Sequence, residues 1–281
     1  MIFYVILIAN QIPMNHSEIF NRLWKEYTHR NPSTLRIYNL FRAEGETVKN
    51  DHIAFRTFRN ANTGIDQLAA VFLKSGYEFR GDYHFETKKL YAKHYEHITD
   101  SEAPRVFISE LLVDEFSPFL RETVRSWTDA IPGAISGSDE LIFAGNVSGT
   151  PSWPVYEKLR MESEYAAWLY VNGFCANHFT VSVNQLGKFN TLEKVNTFLK
   201  SHGFSLNDAG GEIQGTPAEL LEQSSIRAEM VHVNFSEGEY EIPGCYYEFA
   251  KRYPDTNGRL YSGFIAKSAD RIFESTNFYQ K

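Results

Sequence analysis

One pattern of residues occurs twice along the chain, and its two copies are separated by a fixed distance. A histidine leads a run of alternating side chains at His52 and again at His178, and the two histidines lie 126 residues apart (178 − 52). The tetrapeptide Phe-Leu-Lys-Ser that begins at Phe72 returns at Phe198, at the same separation (198 − 72). Two matches at one offset indicate an internal duplication. We therefore expect two related modules.

The two histidine segments, 51–58 and 177–184, have the pattern of β-strands. Successive side chains of a strand point to opposite faces, so His52 and Arg56 share one face of the first strand. His178 occupies the equivalent position in the second strand. Each copy is therefore predicted to direct a histidine towards a common polar side.

The order of the predicted elements is that of an α+β protein. Each module is predicted to be β-α-β-β-β, and we expect the two modules to form a curved mixed sheet around a central metal site. The chain of 281 residues is predicted to be a single domain. Its parts are the N-terminal helices (14–45), module one (46–113), a helical insert (114–175), module two (176–252) and a C-terminal tail (253–281).

Capping residues and apolar spacing locate the elements within these parts. Ser17, Thr63 and Asn190 are the predicted N-caps of three helices. We expect the insert to contain helices near 118–130 and 154–171, and module two to contain strands near 178–184, 204–213, 229–235 and 244–250. Residues 1–13 are either an upstream extension or an extra edge strand, and we expect them to be dispensable for the chemistry.

Composition excludes several classes of protein. A net charge of −7 without a basic run argues against a nucleic-acid-binding protein, because such proteins neutralise phosphates. The apolar segment 2–9 is shorter than the roughly 20 residues of a membrane span, so we expect no membrane association. Cys175 and Cys245 are too few for a disulfide scaffold. They are predicted to be core residues of a cytoplasmic protein.

A metal site needs ligands from separate strands, and the repeat supplies His52 and His178. The strongest third candidate is Glu248, a carboxylate within an apolar and aromatic strand, where an unpaired charge would be costly. Two histidines and one carboxylate are the ligands of non-haem Fe(II) oxygenases. His232 and Glu110 lie in predicted strands and remain open as supporting residues.

Arg56 is the candidate for binding an anionic substrate. It lies four positions after His52 on the same strand face, or about 13 Å at ~3.3 Å per residue, a gap that a long side chain largely closes. A guanidinium binds a carboxylate through two parallel hydrogen bonds. A metal together with Arg56 would therefore suit a dicarboxylate that is chelated at one end and held at the other. The alternative is a surface salt bridge.

These segments together resemble the 2-oxoadipate dioxygenase/decarboxylase family, also called hydroxyglutarate synthases, within the vicinal oxygen chelate (glyoxalase/dioxygenase-like) superfamily. The resemblance extends from about residue 17 to residue 278. It is carried by the segments 52–56, 177–180, 246–249 and 268–275.

The resemblance implies a non-haem Fe(II) enzyme that converts 2-oxoadipate and O2 into 2-hydroxyglutarate and CO2. In that family two histidines and a glutamate hold the iron, and these roles transfer to His52, His178 and Glu248. Arg56 would bind the distal carboxylate of the substrate, and Ser268 in the tail would also contact it. The 2-oxo acid is its own reductant, so no organic cofactor is expected.

Two alternatives stay open at this point. The same fold could hold Zn²⁺, Ni²⁺ or Mn²⁺ and act as a hydrolase or isomerase. The protein could also bind a small ligand in this cavity without catalysis.

Overall fold

The structure, a computed structural model, describes residues 14–266 together with Thr276. Residues 1–13 and Ser268 lie outside the described residues, so the predictions that concern them stay predictions. Within the described part, none of the helices combines the length and the apolar character that a membrane span requires. Cys175 and Cys245 are buried and are not joined by a disulfide, which confirms their prediction as core residues.

The described residues contain a main sheet of eight strands and a separate hairpin. The strands of the main sheet are β1 (Asn50–Phe58), β2 (Tyr77–Phe85), β3 (Leu90–His97), β4 (Arg105–Leu111), β5 (Ala176–Ser182), β6 (Gln214–Thr216), β7 (Leu221–Ser225) and β10 (Tyr246–Arg252). Their order in the sheet is β2-β3-β4-β1-β5-β10-β7-β6. The hairpin consists of β8 (Met230–Phe235) and β9 (Gly238–Pro243). The predicted α+β class and mixed sheet are confirmed.

The pattern of parallel and antiparallel pairing is the same from the centre of the main sheet to either edge. β1 and β5 pair antiparallel in the middle. Each is flanked by a parallel strand, β4 beside β1 and β10 beside β5. Antiparallel strands then continue to the edges, β3 and β2 on one side and β7 and β6 on the other. This order supports the predicted duplication, which itself stays a prediction.

Seven α-helices are described. They are α1 (His16–Arg30), α2 (Pro32–Ala43), α3 (Ile65–Lys74), α4 (Pro118–Asp129), α5 (Trp153–Glu162), α6 (Glu164–Asn172) and α7 (Leu192–Ser201). The prediction of one helix over 154–171 was wrong, because Ser163 has extended backbone and separates α5 from α6. Its side chain accepts a hydrogen bond from the backbone N–H of Ala166 and so begins a new helix.

Module two also differs from its predicted elements. The segment 204–213 is not a strand apart from a single bridge between Leu206 and Ile226. The predicted strand at 229–235 belongs to the β8-β9 hairpin and not to the main sheet. The hairpin packs its aromatic residues on the insert, where the Trp153 ring stacks on the Tyr240 ring with centroids 4.1 Å apart. Periodicity alone identified the strand but not the sheet to which it belongs.

The apolar core lies between the main sheet and the helices α1 and α3. Trp24 and Tyr27 of α1 contact the Phe179 ring of β5, with centroids 5.1 and 5.0 Å away. Phe72 of α3 lies 5.7 Å from the Phe55 ring of β1. The opposite face of the central strands carries the histidines. It is also buried, because α6 and the segment 253–266 cover it.

The helix starts show which capping residues are used. Asn15, and not Ser17, is the N-cap of α1: its side chain accepts from the Glu18 backbone N–H at 3.0 Å, and the Glu18 carboxylate accepts from the Asn15 N–H at 2.9 Å. The predicted caps of α3 and α7 were also displaced by one residue, since the observed N-caps are Gly64 and Thr191.

Replacing Asn15 by Ala should lower the free energy of unfolding by about 1 kcal/mol, because two backbone N–H groups of the first turn depend on this capping box. Ser17→Ala is the matched control and should change stability by less than about 0.5 kcal/mol. Urea unfolding of both variants measures the difference. An equal loss in the two variants would contradict the assigned cap.

Candidate metal centre

Three adjacent strands in the middle of the sheet bring the predicted ligands together. His52 on β1, His178 on β5 and Glu248 on β10 each offer one donor atom, and these atoms lie within 4.8 Å of one another. Nε2 of His52 is 3.4 Å from one carboxylate oxygen of Glu248, and Nε2 of His178 is 3.2 Å from the other. All three side chains are buried.

Strand register explains this convergence. His52 pairs with Thr180 across β1 and β5, and Thr180 pairs with Glu248 across β5 and β10. Neighbouring strands are about 4.8 Å apart, so residues in one row point their side chains to the same face at short range. His178 lies two positions from Thr180 on β5 and therefore shares that face.

Each histidine follows a residue that disturbs the β1-β5 ladder. Asn50 pairs with Val181 and His52 with Thr180, which leaves Asp51 as an extra residue on β1. Ala54 pairs with His178 and Phe55 with Ala176, which leaves Asn177 as an extra residue on β5. Such bulges re-aim the side chains around them.

The extra residues hydrogen-bond to the histidines that follow them. The Asp51 carboxylate lies 2.8 Å from Nδ1 of His52, and the Asn177 side-chain oxygen lies 3.1 Å from Nδ1 of His178. With the proton on each Nδ1, both Nε2 atoms carry a lone pair, and Nε2 of His52 also lies 3.0 Å from the Thr180 hydroxyl. Burial lowers the pKa of His178 to about 3, so its imidazole is uncharged at neutral pH and available as a ligand.

Asp51 is itself held by a buried arginine. The Arg252 guanidinium donates two hydrogen bonds of 2.8 Å to the Asp51 carboxylate, one to each oxygen. Burial acts to raise the pKa of Asp51, but the Arg252 charge, the hydrogen bonds and the nearby Arg105 outweigh it and hold that pKa well below its usual range. Asp51 therefore remains a carboxylate beside His52.

Glu248 shows that the site fits a cation. Nε2 of Gln223 donates to one Glu248 oxygen at 2.6 Å. The other oxygen is buried and has no hydrogen-bond partner among the described residues. A buried carboxylate oxygen without a partner is costly, and a divalent cation would supply one. Two imidazole nitrogens and a carboxylate suit such an ion and leave coordination positions open.

Arg56 lies on the same strand as His52 and is buried beneath α6. Its side chain is only 1% exposed. The guanidinium carbon lies 5.0 Å from the ring centroids of Tyr165 and Trp168 on α6. One nitrogen donates to the Thr276 hydroxyl at 3.3 Å, and another is 3.7 Å from the Glu164 carboxylate. Arg56 is therefore not a surface residue.

The two residues that remained open as supporting groups lie elsewhere. His232 is exposed on the β8-β9 hairpin, where it faces Glu239 and Glu241. Glu110 accepts hydrogen bonds from Arg59 and from the backbone N–H that begins α3. Neither residue contacts the three candidate ligands.

Sequence patterns missed several residues that shape the centre. Phe264 packs its ring edge against His52 at 4.8 Å and also contacts the His94 ring at 5.4 Å. His94 is buried and lies 2.9 Å from the Tyr83 hydroxyl. The apolar-aromatic composition of α6 was a signal for a covering element, but the contacts of Gln223 and Arg252 had no local sequence signal.

Comparison with known proteins identifies the family. A family model described as 2-oxoadipate dioxygenase/decarboxylase matches residues 19–131 and 141–260. The chain belongs to this family. It is 37% identical to the chloroplastic 2-oxoadipate dioxygenase/decarboxylase of Arabidopsis thaliana, over 89% of this chain and 74% of that protein. The corresponding chloroplastic/amyloplastic protein of Oryza sativa is 36% identical, over 92% of this chain and 78% of that protein.

Solved structures of relatives have the same fold. The hydroxyglutarate synthase of Oryza sativa, crystallised with 2-oxoadipate, superposes with a TM-score of 0.85 at 34% identity, covering 92% of this chain and 91% of that one. A Shewanella frigidimarina protein described as a hydrolase gives a TM-score of 0.85 at 47% identity, covering 90% and 98%. A glyoxalase superfamily protein from Ralstonia eutropha gives 0.71 at 23% identity, covering 89% and 85%, and shows likeness of fold alone.

These comparisons confirm that the chain is an enzyme of the dioxygenase/decarboxylase family. They contradict the predicted cytoplasmic location, because both named plant relatives are plastid proteins. The prediction rested on the scarcity of cysteine, which excludes a disulfide scaffold but does not distinguish among reducing compartments.

Alanine at His52, His178 or Glu248 should each reduce bound divalent metal to below about one tenth of the wild-type content, since two donors hold an ion far less tightly than three. His232→Ala is the matched control, because this exposed histidine lies outside the centre. Elemental analysis gives the metal content, and circular dichroism checks the fold. Wild-type metal content in any of the three variants would contradict the ligand set.

Asp51→Asn should weaken metal affinity by about 10- to 100-fold, because the charge that orients and polarises His52 is lost. Asp100→Asn, at a more exposed carboxylate that bonds His16, is the control. Competition with a metallochromic chelator measures both affinities. An unchanged affinity in Asp51→Asn would show that backbone geometry alone sets the ring orientation.

Proposed function

We propose that this chain is a non-haem Fe(II) dioxygenase and decarboxylase that converts 2-oxoadipate and O2 into 2-hydroxyglutarate and CO2. The observation that carries the proposal is the buried cluster of His52, His178 and Glu248, with Arg56 buried on the same strand as His52. The family supports the reaction, and the rice relative crystallised with 2-oxoadipate supports the substrate. We also assign the chain to the vicinal oxygen chelate superfamily, with the likeness of fold to the Ralstonia protein as support.

The centre would perform this reaction by a division of roles between metal and protein. The chemistry that bound Fe(II) supplies is the activation of O2 beside a 2-oxo acid, which provides electrons as it loses CO2. His52, His178 and Glu248 would hold the ion. Because these three side chains come from three strands of one sheet, their positions are fixed before the ion binds, and little reorganisation is needed.

Arg56 would set the orientation of the substrate. Its guanidinium can form a bidentate pair with the carboxylate that lies farthest from the metal. The rings of Tyr165 and Trp168 keep water from this charge and restrict its motion, so the distal end of a diacid meets a preorganised partner. Ser268, the other residue expected at the substrate, stays a prediction.

The reaction is tested with purified protein loaded with Fe(II). Oxygen uptake, CO2 release and the hydroxy acid product are measured across a series of 2-oxo acids. We expect 2-oxoadipate to give one CO2 and one 2-hydroxyglutarate per O2 consumed. The Shewanella frigidimarina relative is described as a hydrolase, and hydrolysis consumes no O2. An oxygen-independent activity is therefore the alternative that this test must separate. Turnover of the same substrate without O2, or with Zn²⁺ in place of Fe(II), would overturn the proposal.

Arg56→Met should lower kcat/KM for 2-oxoadipate at least ~10-fold, because a hydrogen bond to a charged group contributes about 1.5 to 3 kcal/mol. A monocarboxylic 2-oxo acid of equal length should lose far less, since it lacks the group that Arg56 holds. Metal content, measured in parallel, should stay unchanged. Equal losses with both substrates would assign Arg56 to support of the fold or the metal.

A further inference from the structure

Tyr246 is the first residue of β10 and lies beside the metal centre. It is two positions before Glu248, so both side chains point to the same face of the sheet. It also pairs with His178 across β5 and β10. The Tyr246 ring stacks on the His178 imidazole with centroids 4.6 Å apart and planes inclined by 27°. The ring therefore forms part of the wall of the centre.

The hydroxyl of Tyr246 is buried and lacks a hydrogen-bond partner in the part of the chain that the structure describes. Tyr246 is fully buried, and no hydrogen bond to its hydroxyl exists among the described residues. A buried hydroxyl without a partner loses its bonds to water and gains none in return, so a phenylalanine would be the more stable choice at a purely structural position. A ligand that reaches this face of the sheet would supply the missing hydrogen bond.

The surroundings of this hydroxyl point to an anionic ligand. Arg56 packs on Trp168, and the Trp168 indole N–H donates at 3.1 Å to the carbonyl of Gly244, two residues before Tyr246. The Arg56 guanidinium and the segment that leads into β10 thus contact the same indole. A phenol hydroxyl on this face can donate one hydrogen bond to such a ligand.

The neighbouring Tyr247 shows that an unpartnered hydroxyl alone does not define a site. Its hydroxyl is also buried without a hydrogen-bond partner among the described residues. Its ring, however, lies on the opposite face of β10, 6.0 Å from the Trp24 ring of α1 and 5.4 Å from the Phe249 ring. That face is the apolar core, which offers no access to a charged ligand. Of these two tyrosines, Tyr246 is the one on the face of the sheet that carries Arg56 and Glu248.

We propose that the Tyr246 hydroxyl donates a hydrogen bond to the substrate carboxylate that Arg56 holds, which makes Tyr246 a second determinant of specificity for 2-oxo diacids. The inference rests on the proposed function. Two donors of different character, a guanidinium and a phenol, would then bind one carboxylate in a pocket from which water is excluded. Such a pair rejects substrates without the distal carboxylate, because both donors would then be left unsatisfied.

The test compares Tyr246→Phe with Tyr247→Phe in the Fe(II)-loaded protein. Each variant removes one buried hydroxyl and keeps its ring, so both should retain metal and thermal stability. We expect Tyr246→Phe to lower kcat/KM for 2-oxoadipate by about 10- to 100-fold, chiefly through KM, and Tyr247→Phe to stay within about twofold of wild type. The monocarboxylic 2-oxo acid of equal length should be affected less than about threefold by either change.

Binding without turnover gives a second readout. Titration of 2-oxoadipate into the Fe(II)-loaded protein under anaerobic conditions should show a Kd about 10-fold higher for Tyr246→Phe than for Tyr247→Phe. The double variant Arg56→Met/Tyr246→Phe should lose less than the product of the two single losses, because both side chains would hold one carboxylate.

The outcomes separate this inference from the proposed function. If the wild-type protein turns over 2-oxoadipate with O2 and Tyr246→Phe behaves like Tyr247→Phe, the role of Tyr246 is overturned and the function stands. Equal losses of kcat/KM for the diacid and the monoacid in Tyr246→Phe would also overturn the role of Tyr246, since the effect would then arise at His178 and the metal and not at the distal carboxylate. Absence of oxygen-dependent turnover in the wild-type protein would overturn both.

Discussion

The antiparallel pairing of β1 with β5 is the contact on which the rest of the structure depends. It joins the two halves of the sheet and brings two histidines that are 126 residues apart into one site, with ring centroids 5.6 Å apart. The same pair contains two one-residue register shifts, one at Asp51 and one at Asn177. Each shift precedes a histidine and supplies the side chain that bonds its Nδ1. Pairing and ligand orientation therefore have one structural origin.

The sequence predicted the parts of this arrangement that follow from periodicity. Alternation placed His52, Arg56 and His178 on strand faces, and the isolated carboxylate marked Glu248. Regular alternation would direct Asp51 away from His52, however, and a bulge has no local signature in either segment. The partner of Asp51 is Arg252, which lies 201 residues away, so no spacing rule connects them. Periodicity predicts the face of a strand on which a side chain lies, but not which strands are neighbours. Contacts that depend on the order of strands in the sheet therefore could not be predicted.

The helical insert has a role that its position in the sequence did not indicate. It was predicted only to separate the modules, yet α6 covers the polar face of the central strands. The Tyr165 hydroxyl accepts from the backbone N–H of Thr57 and contacts Ser109, which fixes α6 across β1 and β4. Burial of the Arg56 guanidinium is costly, and the aromatic faces of Tyr165 and Trp168 with the Glu164 charge offset part of that cost. A desolvated arginine is in turn a stronger partner for a carboxylate than an exposed one.

Arg252 links the candidate metal centre to the segment that covers it. The guanidinium that binds Asp51 also donates to the carbonyls of Tyr261 and Gly263, at 3.0 and 2.8 Å. The next residue, Phe264, lies against both the His52 ring and the Arg252 guanidinium. The Arg252 guanidinium thus neutralises the Asp51 carboxylate, which orients His52. It also fixes the backbone beside Phe264, whose ring covers His52. Because both tasks use one side chain, a displacement of Phe264 would also disturb the atoms that position His52, so the cover over the candidate centre and the orientation of its histidine are coupled.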